Sequence, residues 1–139
     1  MIDTIVLSPT IHIVLGVLVM VATLAAMTVT GLLAWRRTGM TATGHWAMVV
    51  AQMALALQIL VGVKLLDQGL GAMQLYIHYL GGLGAFFFFL IYYWFRPKTA
   101  ARQGWLAFAM SLLAFLFAVQ SYFIGQAYVG TVVRAGNIM

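Results

Sequence analysis

Three histidines stand in a chain that has almost no other titratable groups. Two of them share a spacing with chemical content. His12 is followed by Gly16 and His78 by Gly82, an i, i+4 interval in both cases. On a helix that interval stacks the glycine one turn along, on the face that carries the ring. An imidazole offers a nitrogen lone pair to a metal, and a glycine beside it leaves bare backbone where a flat macrocycle could lie. The third histidine, His45, has no such neighbour and precedes Trp46. Cysteine is absent, which removes disulfides, thiolate metal sites and covalent c-type haem attachment. With only Asp3 and Asp67 as acids, no nucleophile–base–acid set for a hydrolase can be assembled.

These rings must be positioned by elements that live in lipid. The chain has 139 residues, of which 65% are hydrophobic and 6% charged, with a mean hydropathy of +1.06. A soluble domain is about half apolar and a quarter charged, and no soluble fold of this size hides so much apolar surface. The net charge of +5 does not point to nucleic acid, because the seven basic residues are scattered between apolar runs. The N-terminus lacks the basic stretch and cleavage site of a signal peptide, so the first run reads as a retained helix.

Four spans follow, at about 9–35, 44–64, 72–95 and 104–128, making one all-α, up-and-down four-helix transmembrane domain over 1–139. Ser8-Pro9 opens the first, serine as cap and proline at the first helical position. At 1.5 Å per residue that span is about 40 Å long, enough for a hydrocarbon core of roughly 30 Å. Arg36 and Arg37 follow span one, and Arg96, Lys98 and Arg102 follow span three; the opposite side has only Lys64 and Arg134. Five against two places the first and third loops in the cytoplasm and both termini outside. Trp35, Trp46, Trp94 and Trp105 flank the same two loops, as an interfacial belt would. The expected setting is a bacterial cytoplasmic membrane, crossed four times.

A ring nitrogen inside such a bundle needs a partner, and an intramembrane ionisable residue is a functional candidate by default. His12 and His78 lie roughly 5 and 9 Å below the outer starts of their helices, and His45 lies at the opposite face. Counted up from the basic loops, the two heights are about 36 and 27 Å, a gap for helix tilt to absorb. Spans one and three are diagonal in an up-and-down bundle, so the rings face each other across its core. That arrangement ligates a haem iron from both sides, with Gly16 and Gly82, aided by Gly81 and Gly84, leaving room for the macrocycle. Lys64 and Arg134 share this end and are the expected partners of the propionates. The two hairpins also look alike: each enters through His-x-x-x-Gly, turns through a basic loop, and returns past a glutamine, Gln58 or Gln120.

The run Leu57-Gln58-Ile59-Leu60-Val61-Gly62, preceded by His12-x-x-x-Gly16 and followed by His78-Tyr79-Leu80-Gly81-Gly82, resembles one four-helix half of a haem A synthase. The likeness covers about residues 11–91. It implies that His12 and His78 are axial ligands of haem. The chain has half that family's helices and no glutamate, so the resemblance extends to the haem-holding scaffold and not to oxygenation of a haem methyl. Small haem-b membrane proteins of the cytochrome b561 type are similar in their logic of histidines on neighbouring helices.

The leading expectation is therefore a bis-histidine haem b protein that carries electrons, not an enzyme on its own. It would work within a larger respiratory or photosynthetic complex or as a homo-oligomer. One alternative is a non-catalytic accessory subunit. Another is a pigment-binding subunit, with His78 on a chlorophyll-type magnesium and Phe86, Phe87, Phe88 and Phe89 packed on the ring. A transporter is disfavoured, because no buried charge, proton relay or broken helix is evident.

Overall fold

The structure is a computed structural model that describes residues 5–70, 76–95 and 97–136, with side chains described as far as residue 128. It is all-helical: α1 is Pro9–Trp35, α2 Ala42–Asp67, α3 Tyr76–Trp94 and α4 Ala100–Gly136. All four helices are long and apolar enough to cross a membrane. The chain forms a four-helix bundle.

Local chemistry explains the helix ends. The Ser8 side chain accepts from the Thr10 amide, with Pro9 at the start of α1, and Thr41 accepts from the Gly44 amide to open α2. The helix ends of α1 and α2 close in the same way. Arg37 N–H donates to Ala34 O and Thr38 N–H to Leu33 O; Gly69 N–H donates to Leu66 O and Leu70 N–H to Leu65 O. Such a double closure needs a left-handed residue. Gly69 takes it at φ 74°, but at α1 the residue is Arg37 at φ 53°, two positions before Gly39. An arginine there costs about 1 kcal/mol, and its charge sits beside Arg36 in the exposed loop.

The interior is a seam of small residues. On α4, Gly104, Ala107, Ser111, Ala114, Ala118 and Ser121 are buried, at intervals of three and four. On α1 the buried set is Gly16, Val19, Thr23, Ala26, Thr30 and Ala34. This is the near-heptad spacing of shallow-angle helix packing, and small side chains let backbones approach without help from the hydrophobic effect. At the closest point, a Cβ on Gly104 would lie 3.0 Å from Thr38 O and 3.1 Å from Ala34 Cα. The buried hydroxyls bond back along their own helix, Thr23 to Val19 O at 2.8 Å and Thr30 to Ala26 O at 2.7 Å. Phe89, Tyr92, Met48 and Leu55 fill the rest of the core. The large apolar side chains, among them Leu18, Val21, Met53, Leu60 and Phe87, point outwards to where lipid would be.

Helix α1 packs closely on α2 and α4, and α3 on α4, whereas α2 and α3 touch much less. Helices α1 and α3 are the diagonal pair. Trp35, Trp46, Trp94 and Trp105 are all exposed, at one end, beside the exposed Arg36, Arg37, Lys98 and Arg102. Arg96 and the expected start of the third span at 72 lie outside the described residues.

Candidate functional site

His12 stands three residues into α1 and His78 two residues into α3, and the bundle brings their rings together. The ring centres are 5.9 Å apart with the planes at 69°. The two helices need not touch for this, because each ring is held by the neighbouring helix of its own hairpin. His12 leans on α2: a Cβ on Gly62 would lie 3.1 Å from its Cε1. His78 leans on α4: a Cβ on Gly125 would lie 3.1 Å from its Cε1 and 3.2 Å from its Nδ1.

The hydrogen bonds of the two rings differ. His78 Nδ1 lies 2.7 Å from Ser121 O and 3.1 Å from Ser121 Oγ, and that hydroxyl donates to His78 O at 2.7 Å. A carbonyl can only accept, so Nδ1 carries a proton. A backbone carbonyl on Nδ1–H is the arrangement that presents Nε2 to a metal. His12 has a looser hold. Gln58 Nε2 donates to His12 O at 3.1 Å and lies 3.4 Å from His12 Nε2. His12 Nδ1 and Gln58 Oε1 are buried and have no hydrogen-bond partner among the described residues.

Around the rings lies a cavity of about 180 Å³, lined by Gly16, Leu55, Gln58, Gly62, Gly82 and Ser121 among others, with Tyr79, Gln126 and Tyr128 also on its wall. Its lining is mainly apolar side chain and bare helix backbone. Of the glycines expected beside the rings, Gly82 is open, its nearest neighbour Ser121 Oγ at 4.0 Å, while the Tyr122 ring lies against Gly16 at 3.0 Å from where a Cβ would stand. Gly81 packs against Ser121 and Gly84 against Phe117.

Other expected site residues stand apart. Lys64 is not on the cavity wall; its Nζ pairs with Asp67 Oδ2 at 2.9 Å. The Arg134 side chain lies outside the described residues. Gln120 is exposed on the outside of α4, and Ser121 holds the place that answers to Gln58. The phenylalanine run is divided: Phe89 is in the core, Phe88 packs edge-on against Phe117 at 5.1 Å, and Phe87 is exposed. None of the four lines the cavity. His45 lies at the opposite end, its Nδ1 3.4 Å from the Tyr93 hydroxyl.

Gly62, Gly125 and Ser121 belong to the site although the sequence did not single them out for it. Gly62 stands four residues after Gln58 and Gly125 four after Ser121, so the matching interval on the returning helices was the available signal. No protein-family model, curated protein or solved structure matches the chain.

Proposed function

We propose that the chain is a membrane electron carrier that holds haem b between His12 and His78 near its outer face. The observation that carries this is the pair of imidazoles whose ring centres lie 5.9 Å apart, edge to face, at the wall of an apolar cavity. Among the described residues, no group of three or more His, Cys, Asp or Glu could hold a bare metal ion. Two neutral nitrogens suit a metal that brings the rest of its ligands in a macrocycle. The fixed Nδ1 proton of His78 and the unpartnered buried Nδ1 of His12 fit the same reading.

When bound, the haem supplies one-electron chemistry, with two imidazoles favouring a low-spin, six-coordinate iron suited to electron transfer. The protein's own residues do the positioning. Ser121 fixes the His78 tautomer, and the ring beds of Gly62 and Gly125 hold both imidazoles off the cavity centre. The wall of Leu55, Val19 and Ala118 excludes water from below. The enclosed volume of about 180 Å³ is smaller than a whole macrocycle, so the cavity would have to widen to hold one. The bias of basic residues towards the first and third loops supports an outer-side location for this site.

The volume also favours a second reading. About 180 Å³ is close to the roughly 150 Å³ cavity that accepts a single benzene ring. A quinone head, with Gln58 and Ser121 near its oxygens, would fill it.

One absorption spectrum separates them. Detergent-purified protein, oxidised and then reduced with dithionite, should show sharp low-spin haem bands, retained in His45→Ala and lost in the double variant His12→Ala/His78→Ala. Protein that carries no haem, and takes none up when supplied with haem b, rejects the first reading. Quinone in its lipid extract at one per chain would establish the second.

A further inference from the structure

The densest charge on the molecule has no counter-charge near it in the chain. Arg36 and Arg37 lie in the first loop, and Arg96, Lys98 and Arg102 in or just beyond the third, while the two acids, Asp3 and Asp67, lie outside both. The fold then draws these loops together. A Cβ on Gly39 would lie 3.4 Å from Ala100 Cβ, and one on Gly104 3.0 Å from Thr38 O. Gln103 Nε2 donates to Pro97 O at 2.9 Å, which ties the third loop to the start of α4. Arg36, Arg37, Lys98 and Arg102 are exposed. Arg37 is held there in a left-handed conformation, φ 53°, that disfavours any side chain. Like charges gathered in this way call for an anion from outside the chain.

We infer that the groove between the start of α2 and the end of α3, beside these loops, is a site for one anionic phospholipid. Its phosphate is set among Thr41, His45 and Tyr93 and drawn there by the basic loops. The site stands apart from the histidine pair at the other end and does not depend on what that pair holds.

Met40, Thr41, Ala42, His45, Tyr92 and Tyr93 line a cavity of about 310 Å³ in this groove. A single water needs only about 10–15 Å³, so a phosphate with its glycerol has room. Tyr92 is buried, whereas Thr41, Ala42, His45 and Tyr93 are exposed, so the cavity is open to its surroundings. Part of its wall is polar: His45 Nδ1 and the Tyr93 hydroxyl stand 3.4 Å apart, and Thr41 brings a second hydroxyl. Such N–H and O–H donors suit phosphate oxygens, and basic pockets between membrane helices are the recurring place for anionic headgroups.

Two observations favour a lipid over a free anion. Trp46 and Trp94, which follow His45 and Tyr93 directly, are both exposed, and exposed tryptophans mark the depth of the headgroups. Beyond the groove, α2 and α3 pack far less closely than the other neighbouring helices. That leaves a seam between apolar helices in which acyl chains can lie, and a free anion would have no use for it.

The test uses the full chain, stripped of lipid in detergent, with brominated phosphatidylglycerol and brominated phosphatidylcholine of the same chain length as probes. Bromine quenches tryptophan fluorescence, and all four tryptophans stand at this end. Phosphatidylglycerol should reach half-maximal quenching at about 5-fold lower concentration, the factor expected from one basic residue near an anionic headgroup. The double variant Arg36→Gln/Arg37→Gln should lose most of that preference. His45→Ala/Tyr93→Phe should lose it as well, with quenching by phosphatidylcholine and the thermal unfolding midpoint unchanged. Diffuse attraction to the basic surface would not respond to the second pair, which removes no lysine or arginine. Inorganic phosphate should fail to displace the lipid. Equal quenching by the two lipids, a preference that survives in His45→Ala/Tyr93→Phe, or displacement by inorganic phosphate would each overturn the inference.

Discussion

Adding one methyl group to each of the two glycines that bed the histidines should have opposite consequences, though the glycines look interchangeable in sequence. In Gly125→Ala the new Cβ would stand 3.1 Å from His78 Cε1 and 3.2 Å from Nδ1. Ordinary carbon contacts begin near 3.5 Å, so the ring must retreat by about 0.4 Å. It retreats from α4, which also carries its acceptor, Ser121 O. The 2.7 Å bond therefore lengthens by a similar amount. Weakening it costs about 0.5–1 kcal/mol. In Gly62→Ala only Cε1 is crowded, at 3.1 Å, with Nδ1 and Nε2 already at 3.8 and 3.9 Å. His12 has no short ring bond to resist a tilt, so the cost is small.

Both substitutions gain about 0.8–1.0 kcal/mol of helix propensity. The net expectation is near zero for Gly125→Ala and about 1 kcal/mol of stabilisation for Gly62→Ala. A difference of that size separates the two midpoints by about 3 °C in a chain of this length. Thermal unfolding of detergent-solubilised protein, followed by helical circular dichroism, measures it without any cofactor. In haem titrations Gly125→Ala should bind about 10-fold more weakly than wild type, while Gly62→Ala binds nearly as well. Equal midpoints for the two variants, or Gly125→Ala the more stable, would refute the claim that His78 is pinned and His12 is not.

The remaining expectations concern the frame around the site. Reporter fusions at positions 38, 68, 100 and 136 should read in, out, in, out, because the basic loops follow α1 and α3; any other order rejects the orientation. Gly104→Leu should lower the unfolding midpoint through an overpacking cost of about 1–3 kcal/mol, since its Cβ would meet backbone at Thr38 O (3.0 Å) and at Ala34 Cα on α1 (3.1 Å). Gly82→Ala, whose nearest neighbour would be 4.0 Å away, should be close to neutral in the same scan. Lys64→Met should leave haem content and spectrum unchanged, because Lys64 pairs with Asp67 away from the cavity wall. Haem lost from that variant would assign Lys64 to the propionates after all.

The membrane spans were legible because hydropathy measures what lipid requires. Even so, two helices overrun the apolar windows: α2 begins at Ala42 and ends at Asp67, and α4 runs from Ala100 to Gly136. An apolar window marks where the solvent changes, whereas a helix ends where its caps are, at Thr41 for α2 and at Gln68-Gly69 beyond it. Which face turns inward was harder to read. In water the buried face is the apolar one, but in lipid both faces are apolar. The inward face declares itself by small size, as in Ala107, Ser111, Ala114, Ala118 and Ser121 of α4, and hydropathy does not register size.

The same difficulty explains what was found and what was missed at the site. His12 and His78 stood out because a titratable ring in an apolar run is rare. Their beds did not, because glycine is common in membrane helices. The heights reckoned from the basic loops left a gap of about 9 Å, which counting along straight helices cannot resolve; the ring centres nonetheless stand 5.9 Å apart. Matching the hairpins by residue type paired Gln58 with Gln120, and Gln120 faces outward. Matching them by spacing to glycine pairs Gln58–Gly62 with Ser121–Gly125, and both of those pairs touch a histidine. The two hairpins thus share a scaffold of histidine, glycine four residues on, and a glycine bed on the returning helix. They differ in the one residue that controls each ring nitrogen: a side-chain amide faces His12, and a backbone carbonyl with a hydroxyl faces His78. A near-symmetric frame thus holds its two rings with unequal hydrogen bonding, short and doubly made at His78 and loose at His12.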